Sequence, residues 1–154
     1  MTLTIKSIEE LKSAIATGDI DTVVVGATDM QGRLQGKRIH APFFLADTLK
    51  NGTEGCNYLL AVDIDMNTVQ GYDISSWDTG YADMGMHLDL NTVRALPWHE
   101  KTAFVTADLV DHHHHDIFCG QRCLAHALVG CCVSHGVFLG HRCVFVCRVH
   151  HQVL

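Results

Sequence analysis

Sulfur and imidazole side chains are concentrated near one end of the sequence, where they could bind a metal ion. Residues 111–154 contain 9 of the 12 histidines and 6 of the 7 cysteines. The candidate ligands are Cys119, Cys123, Cys143, Cys147, His150 and His151. Thiolate and imidazole ligands suit zinc, but the usual spacing is Cys-x2-Cys, and a Cys-x3-Cys pair also shares a helix face by periodicity alone. A His/Cys metal-binding protein is therefore one hypothesis.

A second group of polar side chains lies in residues 64–89, a stretch rich in Gly, Asp, Ser and Tyr with weak hydrophobic periodicity. Irregular segments of this length are usually functional loops or disordered. This stretch contains Asp73, Ser76, Asp78 and Tyr81. These side chains could belong to a functional site. The simpler alternative is that Asp73 and Asp78 have a structural role only and accept hydrogen bonds from the backbone amides of turns.

The elements that must position this loop are short helices and strands. Ser7 and Glu10 predict a capping box at the start of a helix that ends near Thr17. The β-branched residues Thr22–Thr28 predict a buried strand, which a turn follows. The other expected elements are strands at 33–39, 59–63, 92–96 and 102–109, helices at 42–50 and 121–135, and an apolar run at 137–149. This order predicts an α+β domain with a mixed sheet covered on one face by a helix.

Composition and charge exclude several classes of protein. The chain has 154 residues, of which 47% are hydrophobic and 18% charged, enough for one globular domain with a core. The net charge is −6 and no Lys/Arg cluster occurs, so the sequence does not predict a nucleic-acid surface. Apolar stretches are shorter than the roughly 18 residues of a membrane-spanning helix, and residues 1–21 do not resemble a signal peptide. We therefore expect a cytoplasmic protein without nucleic-acid or membrane partners.

Three motifs occur in order over residues 20–110. They are TDMQGRLQGKR at 28–38, SWDTGYAD at 76–83 and LDLNTVRALPW at 88–98. Together they resemble the amino-terminal β-grasp domain of the glutamine synthetase family, and in particular its type III or glutamine synthetase-like branch. The resemblance implies a β-grasp-like domain at 20–110, preceded by a helix within 1–19.

The resemblance also implies an activity. In that family glutamate is activated by ATP as γ-glutamyl phosphate, and ammonia or another amine displaces the phosphate. The sites lie between subunits of homo-oligomeric rings, and a carboxy-terminal catalytic domain holds ATP and Mg²⁺ or Mn²⁺. Asp73 aligns with the carboxylate that binds ammonium and accepts its proton, Ser76 with the hydroxyl beside it, and Tyr81 with an aromatic residue near the nucleotide. Because Ile74 replaces a glycine of the family motif, a shifted register would make Asp78 the carboxylate instead.

The resemblance fails after Asp111. In the family a strand carrying Glu-x-Glu-Phe follows, and its glutamates bind the metals. Here Arg142 and Val144 occupy the glutamate positions, and neither offers the oxygen ligands that Mg²⁺ needs. We therefore interpret 111–154 as a truncated, divergent start of the catalytic domain, whose composition from about residue 117 is typical of a frameshift, a sequencing error or a decaying gene copy.

The leading hypothesis is a glutamine synthetase-like amino-terminal domain that is inactive alone and binds no cofactor or metal itself. A non-catalytic β-grasp module that docks on other subunits or proteins is the first alternative, and the His/Cys metal-binding protein is the second. For the full-length family the substrates would be glutamate and ammonia or another amine.

Overall fold

A computed structural model describes residues 3–29, 31–72, 75–78, 80–111, 113, 115 and 117. Its strands are β1 (Thr22–Thr28), β2 (Leu34–His40), β3 (Thr53–Cys56), β4 (Asp83–Ala95) and β5 (Thr102–Val110). They form one sheet in the order β2-β1-β5-β4-β3. The pair β1 and β5 is parallel, whereas the other three pairs are antiparallel. This mixed sheet confirms the predicted α+β class and is consistent with a β-grasp-like arrangement.

The first helix, α1 (Ile8–Ala16), begins as its sequence predicts. The Ser7 Oγ accepts a hydrogen bond from the Glu10 backbone N–H at 3.2 Å, and the Glu10 carboxylate accepts one from the Lys6 N–H at 2.7 Å. Such side chains satisfy amides that a helix start leaves without partners. Leu11 and Ala14 are buried in the hydrophobic core, so the apolar stripe of α1 packs on the rest of the domain.

The second helical segment covers the core, as predicted for residues 42–50. It consists of α2 (Ala41–Phe43), a π-helical turn (Phe44–Thr48) and α3 (Leu49–Asn51). Ala41 and Phe44 are fully buried in the hydrophobic core. The π-helical turn is not apparent from the sequence, because residues spaced by three or four remain on one face when the helix widens locally.

The predicted strand at 59–63 is wrong. A 3-10 helix, Asn57–Leu60, lies there, and the neighbouring strand is β3, which is made of Thr-Glu-Gly-Cys. The apolar residues of the 3-10 helix do not alternate with polar ones, whereas β3 has no apolar pattern and exists because its backbone pairs with β4. β4 begins at Asp83, so the irregular stretch is shorter than the expected 64–89.

Strand β4 also contains an irregularity that the predicted strand at 92–96 did not include. Its register against β5 shifts between Asp89 and Arg94. Inside this bulge the buried Thr92 hydroxyl donates to the Asp89 carbonyl oxygen at 2.6 Å. The same Oγ1 accepts hydrogen bonds from the backbone N–H and the hydroxyl of Thr106, both at 2.8 Å. The Thr92 side chain thus replaces backbone pairing at the point where the register of β4 against β5 shifts.

The expected helix at 121–135 and the apolar run at 137–149 lie outside the described residues, as do the candidate zinc ligands of the same segment. Across the described ranges, no helix has the length and apolar character needed to cross a membrane.

Candidate functional site

The predicted site residues lie in residues 61–82, which join the 3-10 helix to β4 and are called the site loop below. Its first part is a compact turn in which the Asp63 Oδ1 accepts hydrogen bonds from the backbone N–H groups of Asp65 and Asn67, both at 2.9 Å. The backbone and side-chain hydrogen bonds from Asn67 are the main reason that the pKa of Asp63 lies below its usual range. The site loop therefore starts with defined structure.

The four predicted site residues lie in the second half of the site loop. Asp73 is outside the described residues, so its role stays a prediction. Ser76 is buried and forms a β-bridge with Gly80, whose φ of 81° favours glycine. Asp78 lies between these two residues and is exposed, and Tyr81 follows the bridge and is half-buried. The bridge brings Ser76 and Tyr81 to the base of a turn and leaves Asp78 at its tip.

Three aromatic rings support this turn. The Tyr81 ring makes edge-to-face contacts with Trp77, at a centroid distance of 5.2 Å, and with Tyr58, at 6.4 Å. Tyr58 lies in the 3-10 helix, so the rings connect the turn to the body of the domain. Trp77 nevertheless remains 71% exposed. A large, exposed aromatic side chain held by a second ring is typical of an interface residue, not of a core residue.

Two hydroxyls near this turn are buried without a hydrogen-bond partner. They are the Oγ of Ser75, a residue that is 0% exposed, and the Oη of Tyr81. A buried hydroxyl without a partner costs roughly 1–3 kcal/mol. Such groups are uncommon in native structures.

The residues that hold the site loop have no recognisable signal in the sequence. Asp29 and Gly32 predicted only a turn between β1 and β2, and that turn exists, with Gly32 at φ 75°. In addition, the Asp29 carboxylate, 4% exposed, accepts a hydrogen bond from the Arg33 Nε at 2.7 Å. The Arg33 guanidinium also reaches the carbonyl oxygen of Ile64 at 2.7 Å. A contact between residues 31 positions apart leaves no local signal that could have predicted it.

A cavity of about 170 Å³ lies beside this hairpin, between the sheet and the 3-10 helix. Its lining is mostly apolar and includes Ala27, Leu60, Met84, Met86 and Leu109, with Asp29 and Lys37 among the polar residues. Sites for small molecules and cofactors usually enclose about 300–1,000 Å³. This cavity therefore does not fit a nucleotide.

Metal-ligating residues are not grouped within the described ranges, where no set of three or more His, Cys, Asp or Glu side chains is placed to hold an ion. Asp111, at the end of β5, accepts hydrogen bonds from the backbone N–H groups of His113 and His115, at 2.8 and 2.9 Å. These bonds, led by the one from His115, lower the pKa of Asp111. The histidines that are described here take part in a turn.

Comparison with known proteins identifies curated relatives. Over 102 residues the chain is 64% identical to the gamma-glutamylethanolamide synthetase GlnA4 of Streptomyces coelicolor, a match that covers 66% of this chain and 22% of that protein. Over 104 residues it is 36% identical to the glutamate–isopropylamine ligase of a Pseudomonas species, covering 68% of this chain and 23% of that protein. The chain thus spans less than a quarter of the length of either relative. No family model matches it.

The fold resembles that of a solved structure described as apo GmaS without ligand. The TM-score is 0.50 at 22% sequence identity, and the superposition covers 66% of this chain and 21% of the other. At this identity the likeness concerns the fold alone.

Proposed function

This chain belongs to the glutamine synthetase family over about two thirds of its length, and from that membership we propose that its described residues form a β-grasp-like domain that supplies the site loop to a glutamate–amine ligase. The reaction joins the activated γ-carboxylate of glutamate to ammonia or to another amine. Further protein, either in the same polypeptide or in a neighbouring subunit, completes the site. The 154-residue chain alone is inactive.

This proposal is supported by the way in which the site loop is held in place while some of its side chains remain exposed. The loop is fixed at its base by hydrogen bonds and ring contacts, yet it presents Trp77 and Asp78 to the outside. A surface that is held in place and carries an exposed aromatic ring beside an exposed carboxylate suits a wall that a second protein part covers.

The chemistry assigned to this wall is deprotonation of the amine. An alkylammonium or ammonium ion is not nucleophilic until it loses a proton, and a carboxylate both attracts the cation and accepts that proton. In this proposal Asp73 is the carboxylate, Ser76 is the hydroxyl beside it, and Tyr81 lies toward the nucleotide. Asp78 takes the place of Asp73 if the register is shifted by the Ile74 substitution.

The described residues give no support for a site that would hold the ATP and the Mg²⁺ or Mn²⁺ of the family. The cavity of about 170 Å³ is small and apolar, and no group of three ligating side chains is placed for a metal in the described part of the chain. We therefore assign nucleotide and metal binding to the completing part of the enzyme, and we derive no step of the reaction through them.

A chimera tests the proposal. The segment of the Streptomyces coelicolor relative that matches this chain is replaced by the corresponding segment of this chain, and formation of γ-glutamylethanolamide is measured. We expect activity in the chimera and a loss of about 10²–10⁴-fold in amine transfer with Asp73→Asn, the usual contribution of a general base. Phosphorylation of glutamate should persist in this variant.

Asp78→Asn in the same chimera is the matched control. If Asp78→Asn abolishes amine transfer while Asp73→Asn does not, the carboxylate role moves to Asp78. If neither change affects amine transfer, the loop is structural and the proposal is wrong. Phosphate release that depends on ATP and glutamate from the purified 154-residue chain would contradict the claim that it is inactive alone.

A non-catalytic docking module is the second candidate, and exposed apolar side chains favour it. Ile64 is 72% exposed and Trp77 is 71% exposed, and both belong to the site loop. Co-elution of this chain with a full-length relative, without any change in that enzyme's turnover, would support docking over catalysis. The His/Cys metal-binding alternative concerns residues outside the described part, and a stoichiometric zinc content of the purified chain would support it.

A further inference from the structure

We propose that Arg33 and Asn57 are positioning residues that clamp the two ends of the site loop and so fix the turn that carries Ser76, Asp78 and Tyr81. The proposal rests on the function proposed above for that loop. Arg33 and Asn57 both bind backbone groups of the site loop. Each acts through hydrogen bonds to the backbone that carries the predicted reacting groups.

Arg33 holds the entry to the loop. Its Nη1 donates to the Ile64 carbonyl oxygen at 2.7 Å, and its Nη2 donates to the Asp63 carbonyl oxygen at 3.2 Å. The neighbouring Gln31 Nε2 donates to the Val62 carbonyl oxygen at 2.6 Å. Three successive backbone carbonyls of the loop are therefore bound by side chains of the β1–β2 turn.

Asp29 holds the Arg33 side chain in the position from which it reaches the loop. The Asp29 Oδ2 accepts from the Arg33 Nε at 2.7 Å and from the Gln35 Nε2 at 3.1 Å. The Asp29 Oδ1 accepts from the backbone N–H groups of Gln31 and Arg33, at 3.0 and 2.8 Å. A planar guanidinium can donate to Asp29 on one side and to loop carbonyls on another, which a lysine ammonium cannot do with the same geometry.

Asn57 holds the exit from the loop. This buried residue of the 3-10 helix donates its backbone N–H to the Ala82 carbonyl oxygen at 2.9 Å. Its Oδ1 accepts a hydrogen bond from the Ala82 N–H at 3.2 Å. Both backbone groups of Ala82 are thus bound by one residue, directly after Tyr81 in the chain.

Aromatic rings connect the exit of the loop to the turn that carries Tyr81. Tyr58 follows Asn57 in the 3-10 helix and contacts the Tyr81 ring, which in turn contacts Trp77. A displacement at Asn57 therefore reaches Tyr81 both along the backbone and through the ring contact.

The experiment uses the full chain and compares Arg33→Lys with Arg38→Lys, the same exchange at an exposed position of β2. Amide hydrogen exchange by NMR is measured for Asp65 and Asn67 in the site loop and for Val105 in β5. We expect exchange of the loop amides to become at least about tenfold faster in Arg33→Lys, because the loss of hydrogen bonds to a charged donor favours local opening. In Arg33→Lys, the exchange rate of the Val105 amide should stay within about twofold of the wild type. In Arg38→Lys, the exchange rates of all three amides should do so.

A second measurement concerns the exit. Asn57→Ala should reduce the near-ultraviolet circular dichroism of the contact between Trp77 and Tyr81, measured in a Trp98→Phe background, while the far-ultraviolet spectrum persists. Loop exchange in Arg33→Lys within twofold of the control, or an unchanged near-ultraviolet spectrum in Asn57→Ala, would overturn the positioning role of that residue. Neither measurement requires turnover, so this failure is distinct from that of the proposed function, which the two aspartate variants of the chimera decide.

Discussion

The buried hydroxyl of Thr92 gives a quantitative test of how the sheet accommodates the bulge in β4. Thr92→Val keeps the shape of the side chain and removes three hydrogen bonds at once. These join Oγ1 to the Asp89 carbonyl oxygen at 2.6 Å and to the N–H and hydroxyl of Thr106, both at 2.8 Å. Thr92 and Thr106 are 0% and 3% exposed, so water cannot replace the lost partner without opening the strands.

The expected magnitude follows from the groups left behind. A buried donor that loses its acceptor costs about 1–3 kcal/mol, and Thr92→Val removes the acceptor of the Thr106 N–H and of the Thr106 hydroxyl. The hydroxyl can rotate whereas the N–H cannot, so we expect a loss of about 3 kcal/mol in the free energy of unfolding. Thr106→Val removes only the bond between the two hydroxyls and should cost about 1 kcal/mol.

Urea unfolding of the full chain, followed by far-ultraviolet circular dichroism, measures both variants. With a urea m-value of about 2 kcal/mol/M, the two midpoints should differ by about 1 M. The double variant should cost less than the sum of the single changes, because both remove the same bond between hydroxyls. Equal midpoints for Thr92→Val and Thr106→Val would refute the reasoning, since the Thr106 N–H would then not depend on Thr92.

Three further predictions concern the hairpin and the site loop. Gly36→Ala should unfold the domain or lower its free energy of unfolding by more than roughly 3 kcal/mol. The reason is that a Cβ at this position would overlap the Val25 carbonyl oxygen. A thermal unfolding midpoint close to that of the wild type would contradict this. Tyr81→Phe should leave stability unchanged or raise it by up to about 1 kcal/mol, since the hydroxyl is buried without a partner, and a clear fall in the urea midpoint would show that the hydroxyl is satisfied. Asp63 has a lowered pKa when folded, so its contribution to stability is present above the unfolded pKa of about 3.9 and is lost as pH falls through the folded value. The protection of the Asn67 amide, measured relative to the intrinsic exchange rate at each pH, should therefore fall in that acidic range in the wild type but not in Asp63→Asn.

Much of the fold was predictable because local patterns agree with the final structure. The capping box at Ser7, the β-branched run Thr22–Thr28 and the apolar residues of β5 all have partners that match their own periodicity. β3 was missed because its Thr-Glu-Gly-Cys sequence carries no strand pattern and depends on pairing with β4. The 3-10 helix was mistaken for a strand because a short apolar run is compatible with either structure.

The candidate site is a prediction from residue types, and the sequence did not indicate how its residues are held. The resemblance identified the family and selected Ser76, Asp78 and Tyr81, whose positions relative to one another follow from the short turn that holds them. The roles of these residues stay predictions. Arg33 and Asn57 could not be selected, because their importance arises from contacts with backbone groups that are distant in sequence.

The position of β5 between β1 and β4 has a consequence for the order of folding. Thr22 pairs with Thr102, so β1 remains without its inner neighbour until the last strand of the sheet has been synthesised. At about 5–20 residues per second, translation leaves that edge open for roughly 4–16 s. During this interval the β1–β2 hairpin exists without the rest of the sheet, and an isolated hairpin is at best marginally stable in water. The nascent chain thus carries an apolar, unpaired strand edge for several seconds, which is the kind of surface that chaperones bind and that pairs with other unfinished chains.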